Sequence, residues 1–185
     1  TTAFQTGGGT SIGQTFVLTV GIDNLIGTNG DDIFIGSIAN PASVTGADQV
    51  NGGAGNDTLK IFGGVTLPTF TSIETLYFNA PGAGLTSIAG FTEVTKLQID
   101  NDTTGYAWTL NANQNIDLIS VTNDGTVVTL PTTDASLTLG VNGVIKAAGA
   151  AALVDLNGAG LATLNITTSG AVSYTHLTLP TSDLV

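Results

Sequence analysis

The stretch Gly52-Gly53-Ala54-Gly55-Asn56-Asp57-Thr58-Leu59-Lys60 decides the fold of this chain. It follows the nine-residue pattern G-G-x-G-x-D-x-U-x at every position, where U is a large apolar residue. A second copy, residues 27–35, departs once, because Thr28 replaces the second glycine. Truncated copies at 21–26 and 46–51 lead into the two complete ones. Equivalent positions lie 25 residues apart, so the chain contains an internal repeat.

The residue types of this repeat suit a hard cation. Calcium takes about six to eight oxygen ligands. Glycine reaches positive φ without a Cβ clash, so a glycine-rich turn can direct carbonyl oxygens inward, and the aspartate adds a charged oxygen. An ordinary tight turn is the alternative, since Asn, Asp and Gly dominate turns. We predict calcium-binding β-roll turns whose ligands are Asp23, Gly27, Gly30, Asp32, Asp48, Gly52, Gly53, Gly55 and Asp57.

Beyond residue 63 a looser repeat continues. A short apolar strand of the form L-x-[IVF] returns at intervals of about 20 to 25 residues, which is typical of β-solenoid coils. A meander or sandwich with evenly spaced hairpins is the alternative. We predict an all-β fold, a parallel β-roll or β-solenoid with its calcium-binding turns near the N-terminal end. Its coils should stack one interior row, namely Leu76, Leu97, Ile119, Leu139 and Leu164.

Four segments follow from these patterns. Residues 1–14 are a linker or incomplete coil, 15–62 the calcium-binding segment, and 63–172 solenoid repeats of about 20 to 25 residues. Residues 173–185 break the glycine rhythm and form an atypical tail. That tail is predicted to be foreign or frameshifted, with an ordinary strand as the alternative. The start at Thr1, without an initiator Met, indicates a fragment.

The charge balance excludes several function classes. Lys and Arg total 3 against 14 Asp and Glu, and the net charge is -11. This argues against nucleic acid, whose phosphates need cations, and it suits divalent cations. Without Cys there are no disulfides and no thiolate metal sites. No apolar run reaches about 18 residues, so we predict no transmembrane segment.

The sequence contains no set of residues that would form a catalytic site. His176 is the sole imidazole and lies in the atypical tail. The pair Asp100 and Asp102 is predicted to lie in a solvated turn. Trp108 could stack a sugar, but a lone Trp beside a strand indicates core packing. We therefore predict that the chain is not an enzyme.

Residues 15–61 resemble the repeats-in-toxin superfamily, and most closely the surface-layer proteins and large adhesins of Gram-negative bacteria. The resemblance rests on the two motif copies and extends to Ser72-Ile73-Glu74-Thr75-Leu76, which is similar to the N-I-E-T-L of those proteins. It implies type I export, folding on extracellular calcium, and an extracellular or cell-surface location. The implied partners are calcium, neighbouring repeats or further copies of the chain, and cell-surface polysaccharide.

The functional prediction is a structural repeat segment of a secreted, calcium-stabilised cell-surface protein. Two alternatives stay open at this point. One is a calcium-dependent carbohydrate-binding module on a solenoid face, and the other is an accessory roll domain of a secreted polysaccharide-acting enzyme. The chain has fewer consecutive roll turns than long calcium rolls, so the resemblance implies about one to three calcium ions.

Overall fold

The computed structural model describes residues 12–36, 39–40, 43–64, 66–84, 87–122, 125–131, 135–143, 154–158 and 161–169. Within these ranges every named element is a β-strand, and no residue lies in an α-helix. None of this part of the chain forms a helix long and apolar enough to cross a membrane. The predicted tail at 173–185 and most of the predicted linker at 1–14 lie outside the described residues.

The chain divides into two compact units, residues 1–84 with 93–96 and residues 85–92 with 97–185. In the first unit, consecutive strands alternate between two parallel sheets of order β1-β3-β5-β7 and β2-β4-β6. Each pair of consecutive strands is therefore one coil of a parallel β-solenoid. The strands are β1 Thr15–Val17, β2 Asn24–Ile26, β3 Ile33–Ile35, β4 Gln49–Asn51, β5 Thr58–Phe62, β6 Thr69–Thr71 and β7 Thr75–Asn79.

The second unit repeats this architecture with longer strands. Its sheets have the orders β8-β10-β12-β14 and β9-β11-β13, and the pairs are again parallel. The predicted all-β parallel solenoid is confirmed, and the meander alternative is wrong. The strands are β8 Lys96–Asp100, whose first residue belongs to the first unit, β9 Ala107–Thr109, β10 Asn115–Ile119, β11 Thr126–Thr129, β12 Ala135–Asn142, β13 Val154–Asn157 and β14 Leu161–Ser169.

Alternation of side chains along each strand builds the core of the first unit. Successive residues of a strand point to opposite faces, so the apolar residue in the middle of each short strand points inward. Parallel pairing in register stacks these residues coil on coil. Burial of each such side chain stabilises the fold by about 1.5–3 kcal/mol. One inward row consists of Phe16, Phe34, Leu59 and Leu76, and the first two rings stack at 4.9 Å.

The predicted interior row is wrong at Ile119. In β10 the inward residues are Ile116 and Leu118, both fully buried, whereas Ile119 is only half-buried on the opposite face. The L-x-[IVF] pattern places a strand at residues 119–121, but β10 ends at Ile119. Because side chains alternate, that slip of one residue assigns the wrong face.

The row is also displaced at its last member. Leu164 pairs with Leu137 and not with Leu139, which instead pairs with Ile166. A register shift between Ala135 and Ser136 accompanies this offset. Leu164 is only half-buried, and Ile166 is 43% exposed.

Trp108 belongs to the core of the second unit. It lies in β9, is fully buried, and pairs with Val128 of β11. A buried indole cannot stack on a ligand at the surface. The prediction of core packing is confirmed for this residue, and the sugar-stacking alternative is wrong.

Candidate metal centre

The two complete motif copies stack position on position. The Asp32 N–H donates to Asp57 Oδ1 at 2.7 Å, and the Asn56 N–H donates to Asp31 Oδ1 at 2.8 Å. Both hydrogen bonds join residues 25 apart in sequence. The repeat found in the sequence is therefore a stack of coils, and carboxylates join one coil to the next.

The truncated copies stack in the same way through Asp23 and Asp48, both fully buried. Asp48 Oδ1 accepts the Asp23 N–H at 3.0 Å, and its Oδ2 accepts the Thr45 N–H at 2.7 Å. Asp23 Oδ2 accepts the Thr19 N–H at 2.6 Å, and the Thr19 hydroxyl lies 3.0 Å from Oδ1. Protein donors therefore reach every carboxylate oxygen of this pair.

Asp32 is satisfied as well. Its Oδ1 accepts the Gln14 N–H at 2.6 Å and the Thr28 hydroxyl at 3.0 Å. Its Oδ2 accepts the Thr28 N–H. Thr28, the one departure from the motif, thus supplies two of the three hydrogen bonds that this buried carboxylate accepts.

Asp57 differs from its three counterparts. It is fully buried, and its Oδ2 has no hydrogen-bond partner among the described residues. Burial, together with the nearby charges of Asp32 and Glu74, raises the pKa of Asp57 to about 6. A buried carboxylate oxygen without a donor is costly unless a cation or a proton balances its charge.

Two glycines make room for the motif carboxylates. A Cβ added at Gly52 would lie 2.4 Å from Asp57 Oδ2 and 1.8 Å from the Ser72 carbonyl oxygen. A Cβ at Gly27 would lie 2.4 Å from Asp32 Oδ2 and 2.0 Å from the Gly52 carbonyl oxygen. The carboxylate and a carbonyl of the next coil therefore converge over a glycine in both turns, and no other residue fits there.

Glu74 continues the column of Asp32 and Asp57, and the predicted ligand set omitted it. Its Oε2 accepts the Asp57 N–H at 2.7 Å. Asp57 Oδ1 accepts the Asp32 N–H in the same way. The local sequence carries a signal for this role. Asp57-Thr58-Leu59 and Glu74-Thr75-Leu76 share an acid, a Thr and a Leu, and their Thr and Leu residues pair in register.

The predicted solvated turn after β8 is wrong for Asp102. This residue is only 1% exposed, and its Oδ1 accepts the N–H groups of Thr104 and Gly105 at 2.9 and 3.1 Å. An aspartate that bonds the backbone two residues on forms an Asx turn. Asp102 is therefore a buried turn-forming residue, while Thr104 beside it is exposed.

These donor sets fit a cation at one place. In the described ranges no group of three or more His, Asp or Glu side chains converges, so carboxylates alone would not cage a calcium ion. At Asp57, however, Oδ2 has no donor among the described residues, and it lies with the Ser72 carbonyl oxygen against the same glycine, Gly52. At Asp23, Asp32 and Asp48, protein donors already take up the carboxylate oxygens.

Comparison with known proteins adds nothing to this picture. The chain matches no protein-family model, no curated protein and no solved structure. Its function has to be inferred from the solenoid and from the stacked turns.

Proposed function

We propose that this chain is a structural repeat segment of a secreted bacterial cell-surface protein that calcium stabilises. The solenoid supports a structural role, because a stack of coils extends by adding repeats. The resemblance of residues 15–61 to surface-layer proteins and adhesins supports the location. The observation that carries the calcium assignment is the buried, unpartnered Oδ2 of Asp57 in the copy that matches the motif at every position.

Calcium would be held at the turn formed by residues 52–57. Asp57 supplies the charged oxygen, and the Ser72 carbonyl, together with the carbonyls of the glycine turn, supplies neutral ones. The ion would balance a charge that the protein leaves uncompensated, in a region where Asp32 and Glu74 add further negative charge. Binding to the folded coil but not to the unfolded chain makes the binding free energy available to folding.

Isothermal titration with calcium chloride tests this proposal. We expect the wild-type chain to bind one ion, with a dissociation constant on the order of 0.1–1 mM as in extracellular calcium modules. Asp57→Asn should abolish binding. Asp155→Asn removes the same charge from an exposed residue of β13 and should bind like the wild type. Equal binding by both variants would show that calcium responds only to net charge.

The outer face of the β2-β4-β6 sheet favours glycan binding as a second candidate function. It forms a groove of about 240 Å³, and none of its lining residues is charged. Register places Asn24, Gln49 and Thr69 in one row across the strands. The three side chains are exposed, and their amides and hydroxyl offer donors and acceptors of the kind that sugar hydroxyls require. The groove is lined by Asn24, Ile26, Gln49, Val50, Asn51, Thr69, Phe70 and Thr71.

A glycan array tests this second function. We expect retention of an uncharged polysaccharide by the wild-type chain and its loss in the double variant Gln49→Ala/Thr69→Ala. Thr15→Ala, which changes an exposed residue on the other sheet, is the matched control. Retention by the double variant would exclude this groove as the binding face.

A further inference from the structure

The two stacked turns differ in how they treat the same carboxylate oxygen. Asp32 Oδ2 and Asp57 Oδ2 occupy equivalent positions, each 2.4 Å from the Cβ site of the glycine that opens its turn. In the first turn, Oδ2 accepts the N–H of Thr28. In the second turn the equivalent residue is Gly53, and Oδ2 accepts no hydrogen bond from any described residue.

The Gly53 N–H is held elsewhere. It donates to Asn51 Oδ1 at 3.0 Å, and Gly53 has a positive φ of 99°. The residue equivalent to Asn51 in the first turn is Ile26, since the two pair in register across β2 and β4. Isoleucine has no acceptor, so the Thr28 N–H remains with Asp32.

The Thr28 hydroxyl adds a second difference, which leaves still less room for an ion in the first turn. The Thr28 hydroxyl lies 3.0 Å from Asp32 Oδ1 and accepts the Gly30 N–H at 3.0 Å. Gly53 has no hydroxyl and provides neither contact. Thr28 is only 2% exposed, so its hydroxyl is a fixed part of the turn.

We infer that Asn51 is a positioning residue that keeps the second turn open to calcium, and that Ile26 and Thr28 close the first. Asn51 withdraws the Gly53 N–H from Asp57, which leaves Oδ2 to the ion. In the first turn, the Thr28 N–H and hydroxyl bond Asp32 and so occupy the carboxylate oxygens that a calcium ion would need. This inference rests on the proposed function and explains why the pair of turns should hold one calcium ion instead of two.

The first test replaces Asn51 with the residue of the closed turn. We expect Asn51→Ile to weaken calcium binding by about tenfold or more, as loss of residues that orient metal ligands does. Thr71→Ile is the matched control, because Thr71 is the exposed neighbour of Asn51 in β6. Its carbonyl oxygen accepts the Gly52 N–H at 3.0 Å, and the substitution keeps that backbone hydrogen bond. It should change affinity by less than about twofold. Circular dichroism of both variants should retain the strand spectrum of the wild type.

The second test opens the first turn. The double variant Ile26→Asn/Thr28→Gly should raise the number of bound calcium ions from one to two. Adding Asp32→Asn to it should return the number to one. If the double variant does not fold, the affinity of Asn51→Ile decides alone.

The outcomes separate this inference from the proposed function. If the wild-type chain binds no calcium, the proposed function fails and the inference falls with it. If the wild type binds one ion and Asn51→Ile binds it equally well, the inference is overturned while the proposed function stands. Two ions in the wild type would overturn it too, because the first turn would then be open.

Discussion

The hydrogen-bond donors around each buried carboxylate decide whether its oxygens are left for an ion, as Asp32 and Asp57 show. The spacing of 25 residues placed Asp32 over Asp57 correctly. Which carboxylate oxygen has a donor depends on residues whose identity the motif does not fix, such as Asn51 and Thr28. Hydrogen bonds of that kind follow from backbone geometry, which a spacing rule does not contain.

The hydrogen bonds to Asp32 should matter for stability without any ion. Replacing this fully buried residue with alanine removes the acceptor of the Gln14 and Thr28 N–H groups. Buried donors left unsatisfied are costly, so we expect Asp32→Ala to lower the free energy of unfolding by about 3 kcal/mol. Asp155→Ala, at an exposed position, should change it by less than about 0.5 kcal/mol. Urea denaturation in calcium-free buffer measures both.

The raised pKa of Asp57 predicts an unusual pH dependence without calcium. Its pKa rises from 3.8 to about 6 on folding, chiefly because of burial, so the folded state binds the proton more tightly than the unfolded state. Protonation therefore favours folding. The contribution is complete below about pH 4 and disappears as pH rises through about 6.

Lowering the pH from about 7.5 to about 5 should thus stabilise the wild type by about 1.4 kcal/mol relative to Asp57→Asn. The difference between the two proteins cancels the titration of the other acids. Urea denaturation in calcium-free buffer at the two pH values gives the number. A wild type that gains no more than the variant would mean that Asp57 Oδ2 is solvated or paired.

At the scale of strands, alternation and length predicted the elements, while the inward face was harder to assign. Short β-branched and aromatic runs between turns marked β5, β7 and β8. The pattern failed at β10, because Leu118 and Ile119 are both large and apolar and only their positions on the strand separate them. The shift at Ala135 could not be predicted, since a bulge depends on strand pairing.

Neighbouring residues of β10 provide a direct test of the inward face. Leu118→Thr should destabilise the protein by about 3 kcal/mol, since it removes buried apolar volume and buries a hydroxyl. Ile119→Thr should cost less than about 1 kcal/mol, because threonine also favours strands and the site is only half-buried. Thermal denaturation of the two variants compares them. The reverse order would mean that β10 is shifted by one residue.

At the scale of the whole chain, composition and repetition predicted the class of fold. The net charge of -11 further predicts that cations stabilise the folded chain. In an acidic chain with few lysines, repulsion among the carboxylates destabilises the compact state. The repeat predicted a solenoid, since stacking is the way that such units bury their apolar faces. It did not predict two compact units or the uncharged groove, because both depend on how individual coils vary.

General screening and specific binding can be separated by comparing ions. In calcium-free buffer, sodium chloride should raise the melting temperature of the wild type and of Asp57→Asn alike, because it screens the charge of -11. At about 1 mM, calcium should raise that of the wild type more than magnesium does, since magnesium keeps its water and demands octahedral geometry. Asp57→Asn should respond equally to both divalent ions, because the buried oxygen that selects calcium is gone. Equal effects of calcium and magnesium on the wild type would leave screening as the whole explanation and remove the site at residues 52–57.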